Sequence, residues 1–185
     1  MLSVGMLIKK AMKGHVDILG PATAVKDELI GIPSFDTPDY SELFSEEKEM
    51  IAKLKKVILM VAGAAVQKFG TEFEEHQQIL LAISNILIEV YVAESTILRT
   101  EKNVKRFGDD AQKGQIAMAR LYLYNAVDDA IKNGKEAIVS FTEGDEQRMM
   151  LMGLKRFTKY TNNPNVVALR NTIAEKVSAE NKYCF

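Results

Sequence analysis

The sequence predicts an all-α protein, an up-and-down antiparallel bundle of four to five helices with an N-terminal helical leader. Apolar residues recur every three or four positions over most of the chain, and the alternating pattern typical of strands is nearly absent. Glycine or proline stands where each helical stretch should stop. Long helices joined by short glycine-centred connections are typical of an antiparallel bundle.

Residues 1–44 are predicted to form a leader that lies on the bundle. A first helix is expected at about 2–13, and a second at about 22–30 with Pro21 suited to a first helical position. Residues 31–44 read as a loop because proline interrupts them twice. We interpret this leader as a docking strip.

Residues 45–185 are predicted to form the bundle itself. Ser45 precedes a turn rich in glutamate, Thr71 and Glu74 have the spacing of a capping box, and Gly134 is expected to stop a helix. The predicted helices are about 45–69, 72–107, 110–133, one or two within 135–160, and a last one opened by Asn163 and Pro164.

Apolar stripes predict which faces point inward. The longest predicted helix carries one at Leu80, Ile83, Leu87, Val90, Glu94 and Ile97. We expect the helix at 110–133 to face inward with Ile116, Leu123, Val127 and Ile131. The apolar face of the helices within 135–160 is expected at Ile138, Phe141, Met149, Met152 and Phe157. We expect Leu87 to be a buried position whose truncation is costly.

Composition excludes several classes of protein. The 185 residues suit one domain, and 24 basic against 25 acidic residues leave no overall positive field to collect nucleic acid. The single cysteine, Cys184, allows no intrachain disulfide, so we expect a reducing compartment and a cytoplasmic location. No apolar run reaches 18 residues, which argues against an ordinary transmembrane helix. The lysines follow the first apolar stretch rather than precede it, so no signal peptide is expected.

Few residues are suited to catalysis or metal binding. A di-iron bundle needs Glu-x-x-His on two helices, but Phe73 lies three residues before His76, and Met12 three before His15. We interpret both histidines as surface or turn residues and Cys184 as part of a frayed end.

Three other features leave alternatives open. Glu89 and Glu94 lie mid-helix, where solvated or salt-bridged acids are favoured over metal ligands. Lys9, Lys10 and Lys13 beside apolar residues fit either a membrane-surface helix or a helix packed on protein, and we favour packing. Met149, Met150 and Met152 fit either a soft binding patch or core filling.

The whole chain resembles the extra C-terminal helical domain found in some acyl-CoA dehydrogenases, those of the very-long-chain type and their bacterial relatives. Residues 1–14 (MLSVGMLIKKAMKG) and 17–22 (DILGPA) resemble the stretch just after the catalytic segment of these enzymes. Residues 75–102 (EHQQILLAISNILIEVYVAESTILRTEK) resemble the long helix of the extra domain, and residues 163–170 (NPNVVALR) resemble its closing helix. The family implies an FAD-dependent enzyme in which a glutamate removes the α proton of an acyl-CoA and the flavin accepts hydride from the β carbon.

The resemblance implies that the catalytic glutamate, in an aromatic-Glu-Gly-Thr segment, and the flavin-binding domain precede the position that resembles Met1. Glu143 and Gly144 do not match that segment, because Thr142 precedes them and Asp145 follows. We therefore assign no catalytic, cofactor-binding or metal-binding residue to this chain, and FAD is expected only in the parent enzyme.

The resemblance favours a scaffold or interaction module that is inactive alone. Its expected partners are the catalytic part of an acyl-CoA dehydrogenase and further copies of itself. Two alternatives remain: a peripheral membrane-surface adaptor, and a free-standing helix bundle that binds a small ligand or a metal.

Overall fold

The computed structural model describes residues 2–31 and 39–182, and over those residues it is built of α-helices joined by short turns. The helices are α1 (Leu2–Met12), α2 (Leu19–Ile30), α3 (Ser45–Phe69), α4 (Gln77–Phe107), α5 (Lys113–Phe141), α6 (Gly144–Phe157) and α7 (Val166–Glu180). The prediction of an all-α bundle with a helical leader is confirmed. The predicted loop is described only over 39–44, since residues 32–38 lie outside the described part.

One hydrophobic core holds the bundle together. The α4 helix packs along α5, α3 packs against both, and α6 closes the core against α3 and α5. The largest side chains in that core include Phe73, Leu54, Ile83, Ile97 and Leu123, all almost fully buried. Around these four helices, α7 lies on α5, α2 lies on α3, and α1 lies against α4.

The start of α4 differs from the prediction, and the capping box is wrong. Residues Gly70–Glu75 form a 3-10 turn, in which Thr71 is exposed and makes no capping hydrogen bond, and α4 begins only at Gln77. Gly70 has a positive φ of 53°, which redirects the chain at the end of α3. Phe73 is only 1% exposed, so burial of its ring holds the chain in this turn before α4 begins.

Gly134 does not stop a helix as predicted. It is buried within α5, which continues to Phe141, and the predicted break between two helices falls instead at Gly144 with a φ of 59°. A Cβ atom on Gly134 would lie 2.9 Å from the Leu154 Cδ1 atom. The missing side chain therefore lets α6 pack closely on α5.

Two helix starts are shifted by capping side chains. The α2 helix begins at Leu19 rather than near residue 22, and the Asp17 carboxylate accepts a hydrogen bond from the Gly20 N–H at 2.8 Å. The α7 helix is capped by Asn165 rather than Asn163: its side-chain oxygen accepts from the Ala168 N–H at 3.0 Å.

Of three apolar residues expected on inward faces, two are exposed and the third, Leu87, packs against the core at its edge. Leu87 is only partly buried, whereas its neighbour Ile86 is 1% exposed. Ile131 and Met152 are 38% and 69% exposed. Because α4 packs against α3 on one side and α5 on another, the buried arc of α4 is wide. The centre of this buried arc is rotated around the helix axis from the predicted apolar stripe.

The α4 helix is long and apolar enough to cross a membrane, with a mean hydropathy of 1.5 in its most apolar 18-residue window, so the run-length argument against such a helix is wrong. Of that window, 44% is buried inside the bundle. A core helix of a water-soluble protein can have the same length and composition. The length and hydropathy of α4 are therefore weak evidence that it spans a membrane.

Candidate functional site

The leader meets the bundle along a close contact between α2 and α3, which we call the leader seam. A Cβ atom on Gly63 of α3 would lie 2.7 Å from the Ala22 Cβ atom of α2. Val25, one turn later on α2, is 5% exposed and belongs to the core cluster. The absence of a side chain at Gly63 thus allows α2 to insert an apolar residue into the bundle core.

Polar contacts fix the C-terminal half of α2 at the leader seam. Lys56 Nζ on α3 donates to both Glu28 carboxylate oxygens, at 2.8 and 2.7 Å. Arg156 Nη1 on α6 donates to the Glu28 backbone carbonyl oxygen at 3.1 Å. One residue of the leader is therefore held by two helices of the bundle, and such paired, partly buried contacts restrict α2 to one orientation.

Phe44, the last residue of the predicted leader, lies in the same core. Its side chain is fully buried, and its backbone adopts a left-handed conformation with φ 64°. The Arg120 guanidinium carbon lies 5.8 Å from the centre of its ring. Because Val25 and Phe44 are core residues, the seam contributes to the packing of the bundle; the division at residues 44 and 45 stays a prediction.

A cleft of about 640 Å³ opens beside the leader seam, between α2, α3 and α6. Its walls are mostly apolar and include Leu29, Met60, Gly63, Met149 and Met150, with Lys26 among the lining residues. Of the three methionines suggested as a soft patch, Met149 and Met150 therefore line the cleft, whereas Met152 is 69% exposed.

This cleft is a poor fit for FAD. A flavin dinucleotide needs several donors for its pyrophosphate and ribityl groups, commonly backbone N–H groups at a helix N-terminus. The cleft offers the Lys26 ammonium, the Thr23 hydroxyl and the Gln67 amide, while Glu146 adds a carboxylate that would repel a phosphate. Its lining suits an apolar occupant better than a dinucleotide.

A second, smaller cavity of about 320 Å³ lies where α3 begins and the chain passes from α6 to α7. Arg120 Nε donates to Glu47 Oε1 at 2.7 Å, and the Asn162 backbone N–H donates to Glu46 Oε1 at 2.7 Å. Burial, followed by the nearby charge of Glu47, raises the pKa of the Tyr160 hydroxyl well above its ordinary value. The charged groups here already pair within the chain, which indicates a structural role.

The histidines and acids singled out in the sequence are distributed over separate places. His76 stacks on the Phe69 ring with 3.6 Å between ring centres, and His15 is exposed in the turn after α1. Glu94 pairs with Lys55 of α3. Among the described residues, no group of three or more His, Cys, Asp or Glu side chains is placed to hold a metal ion. Cys184 lies outside the described residues.

Glu89 is engaged by a tyrosine rather than by a cation. The Tyr122 hydroxyl of α5 donates to Glu89 Oε2 at 2.7 Å. Burial, then this hydrogen bond, raises the pKa of Tyr122 to about 12. The pair therefore fastens α4 to α5 with the tyrosine protonated at neutral pH.

The lysines of α1 and of the turn that follows it are exposed. Lys9 Nζ lies 2.9 Å from Glu74 Oε1, and Lys10 and Lys13 face solvent. This arrangement is compatible with packing on protein and leaves the membrane-surface hypothesis a prediction, for which flotation with anionic vesicles is the test.

The leader seam has a sequence signal that helical periodicity does not reveal. Residues 62–65 of α3 read Ala-Gly-Ala-Ala, and Ala22 stands opposite them on α2. Small residues on both of two helices permit close packing, so this run could have identified α3 as the surface that receives α2.

Comparisons with known proteins agree on one family. Residues 53–156 match the family model described as acyl-CoA dehydrogenase, C-terminal domain. A probable acyl-CoA dehydrogenase from Bacillus subtilis (strain 168) is 30% identical over 176 residues, covering 95% of this chain and 29% of the relative. The crystal structure of an acyl-CoA dehydrogenase complexed with FAD from Bacillus anthracis superposes with a TM-score of 0.89 at 31% identity, covering 98% of this chain and 30% of that chain. The chain thus spans about 30% of the length of the relatives it matches.

Proposed function

The chain belongs to the family of acyl-CoA dehydrogenase C-terminal domains, and on that premise we propose that it is a helical scaffold and docking module of an FAD-dependent acyl-CoA dehydrogenase. In the proposed parent, other parts of the enzyme bind FAD and dehydrogenate a fatty acyl-CoA between its α and β carbons. This chain supplies neither the catalytic glutamate nor the flavin site.

The leader seam is the observation that carries the proposal. Because Gly63 and Ala22 are in close contact and Glu28 is tied to α3 and α6, helix α2 is fixed on the bundle in one orientation. A rigid body can hold a second domain in a fixed orientation, which a flexible tail cannot.

The outward side of the leader supplies the proposed docking surface. Met6 of α1 is 50% exposed, Val16 in the following turn 37%, and Ile30 at the end of α2 69%. These three exposed apolar side chains are ten and fourteen residues apart in sequence, and we propose that one partner covers all of them. The partner we propose is the catalytic part of the parent enzyme.

A binding experiment tests the docking role. The Bacillus subtilis relative, produced without the segment that matches this chain, is titrated with the purified chain by isothermal calorimetry. We expect a complex that Ile30→Glu and Met6→Glu weaken, while Met152→Glu leaves it unchanged, because Met152 is also exposed but lies on α6. No binding, or equal losses in all three variants, would contradict the docking role.

A colour and activity assay tests the catalytic part of the proposal. We expect the purified chain to show no flavin absorbance after incubation with FAD, and no reduction of an electron acceptor with any acyl-CoA. A yellow protein that retains FAD through gel filtration would overturn this part and leave the docking result unaffected.

A second candidate function, small-ligand binding, is favoured by the cleft beside α2. Its volume of about 640 Å³ lies within the range of small-molecule sites, and its lining is mainly apolar. We expect dodecanoate to raise the melting temperature of the chain and Met149→Glu to abolish the rise, with Met152→Glu as the matched control. An unchanged melting temperature in the unsubstituted chain would reject this function.

A further inference from the structure

The outer face of α4 carries an apolar stripe that the bundle leaves uncovered. Leu81, Ile88, Tyr91 and Leu98 are 47%, 51%, 70% and 54% exposed, and we call these four residues the α4 stripe. The most apolar window of α4 is only 44% buried within this chain. Large apolar side chains in a row on one helix are an unfavourable surface in water unless another surface covers them.

The spacing of the α4 stripe is that of a helix that pairs with another helix. The intervals are seven, three and seven residues, so the four residues occupy a and d positions of consecutive heptads. At 1.5 Å per residue the stripe is about 25 Å long. Such spacing keeps the side chains along one seam facing a single partner helix.

The α4 stripe is also symmetric about its own midpoint. Counted inward from the two ends, Leu81 corresponds to Leu98, and Ile88 corresponds to Tyr91. If two copies of α4 lie antiparallel, each a position of one copy faces a d position of the other. Leucine then meets leucine at both ends, and isoleucine meets tyrosine twice at the centre.

We propose that the α4 stripe is the contact between two copies of this chain, related by a two-fold axis with their α4 helices antiparallel. An isologous contact requires one surface to be complementary to itself, and a stripe with mirrored spacing meets that requirement. This contact uses residues of α4 alone and does not depend on the proposed docking role.

The charges at the ends of α4 favour the antiparallel orientation. Glu74 and Glu75 lie just before its first turn, whereas Arg99 and Lys102 are exposed near its end. Glu74 already pairs with Lys9 of its own chain. Antiparallel copies bring each acidic end near a basic end, and parallel copies would bring like charges together. Exposed charges contribute little affinity but discriminate between orientations.

Sedimentation equilibrium of the full chain tests the contact, with a reducing agent present so that Cys184 cannot form an intermolecular disulfide. We expect a dimer that Ile88→Glu weakens at least about tenfold. Val139→Glu should leave the dimer unchanged, because Val139 is 47% exposed on α5 and lies outside the stripe. A chain that stays monomeric at several hundred micromolar, or a dimer that Ile88→Glu leaves intact, would overturn the proposal.

Paired charges test the orientation. Leu81→Glu and Leu98→Lys should each weaken the dimer, and the double variant should recover it at low salt, because each new glutamate would face a new lysine only in antiparallel copies. A double variant as weak as the single ones would overturn the antiparallel register. Circular dichroism of each variant checks its fold; should Ile88→Glu unfold, Tyr91→Lys replaces it, since Tyr91 is 70% exposed.

Discussion

Replacing Phe44 tests whether the end of the leader belongs to the bundle core. Its ring is fully buried, so Phe44→Ala should lower the free energy of unfolding by about 3–5 kcal/mol, the usual cost of removing a buried phenylalanine. That is a large part of the roughly 5–15 kcal/mol by which a domain is stable. The 45–185 truncation, which also removes the buried Val25, should lose more than the point variant does.

The backbone at Phe44 adds a second expectation. Its φ of 64° is left-handed, a conformation that costs a residue with a Cβ atom about 1–2 kcal/mol and glycine very little. The alanine variant keeps this cost after losing the ring, whereas Phe44→Gly removes it. We therefore expect the glycine variant to be more stable than the alanine variant by about 0.5–1 kcal/mol, in contrast to the usual order.

Urea unfolding followed by circular dichroism measures both effects. Phe107→Ala is the matched control, because that ring is 59% exposed and its loss should change stability by less than about 0.5 kcal/mol. A loss below about 1 kcal/mol in Phe44→Ala, or a truncation that melts like the full chain, would show that the leader is not part of the core.

Two further predictions concern α4. Ile86→Ala should cost about 2–5 kcal/mol in urea unfolding and Leu87→Ala distinctly less, because only Ile86 is fully buried; equal losses would contradict the observed rotation of the helix. The hydrogen bond from Lys48 lowers the pKa of the Glu101 carboxyl below its ordinary value of 4.5. A lowered folded-state pKa gives stability that is present above pH 4.5 and is lost as the pH falls through the lowered value. Glu101→Gln should therefore flatten the dependence of stability on pH between neutral pH and the acid range in urea melts, and an unchanged slope would refute the assignment.

Most of the helical organisation could be predicted from the sequence. Gly70 and Gly108 follow α3 and α4 where expected, because glycine after an amphipathic run reports a local backbone requirement. Gly134 gives the opposite lesson. A side chain at position 134 would collide with Leu154, which belongs to another helix. The residues around position 134 in sequence cannot distinguish this packing role of glycine from a helix stop.

Much less of the leader seam and its cleft could be predicted from the sequence. The leader and its apolar residues were anticipated, but the contact of Glu28 with both Lys56 and Arg156 was not. These residues are 28 and 128 positions apart from Glu28 in sequence, and no local pattern links them. The cleft beside α2 depends on the same long-range approach.

By itself, the sequence determined the all-α class, the approximate extent of each helix and the resemblance to one family, because helix periodicity and stop signals act over a few residues. Only the tertiary structure decided which arc of α4 is buried, why residue 134 lacks a side chain, and that Phe44 belongs to the core. A periodic pattern shows that a helix has an apolar side, but the width and direction of the buried arc depend on how many neighbours pack against it. That number is set by the whole arrangement of helices, and α4 has α3, α5 and α1 around it while its outer stripe stays open.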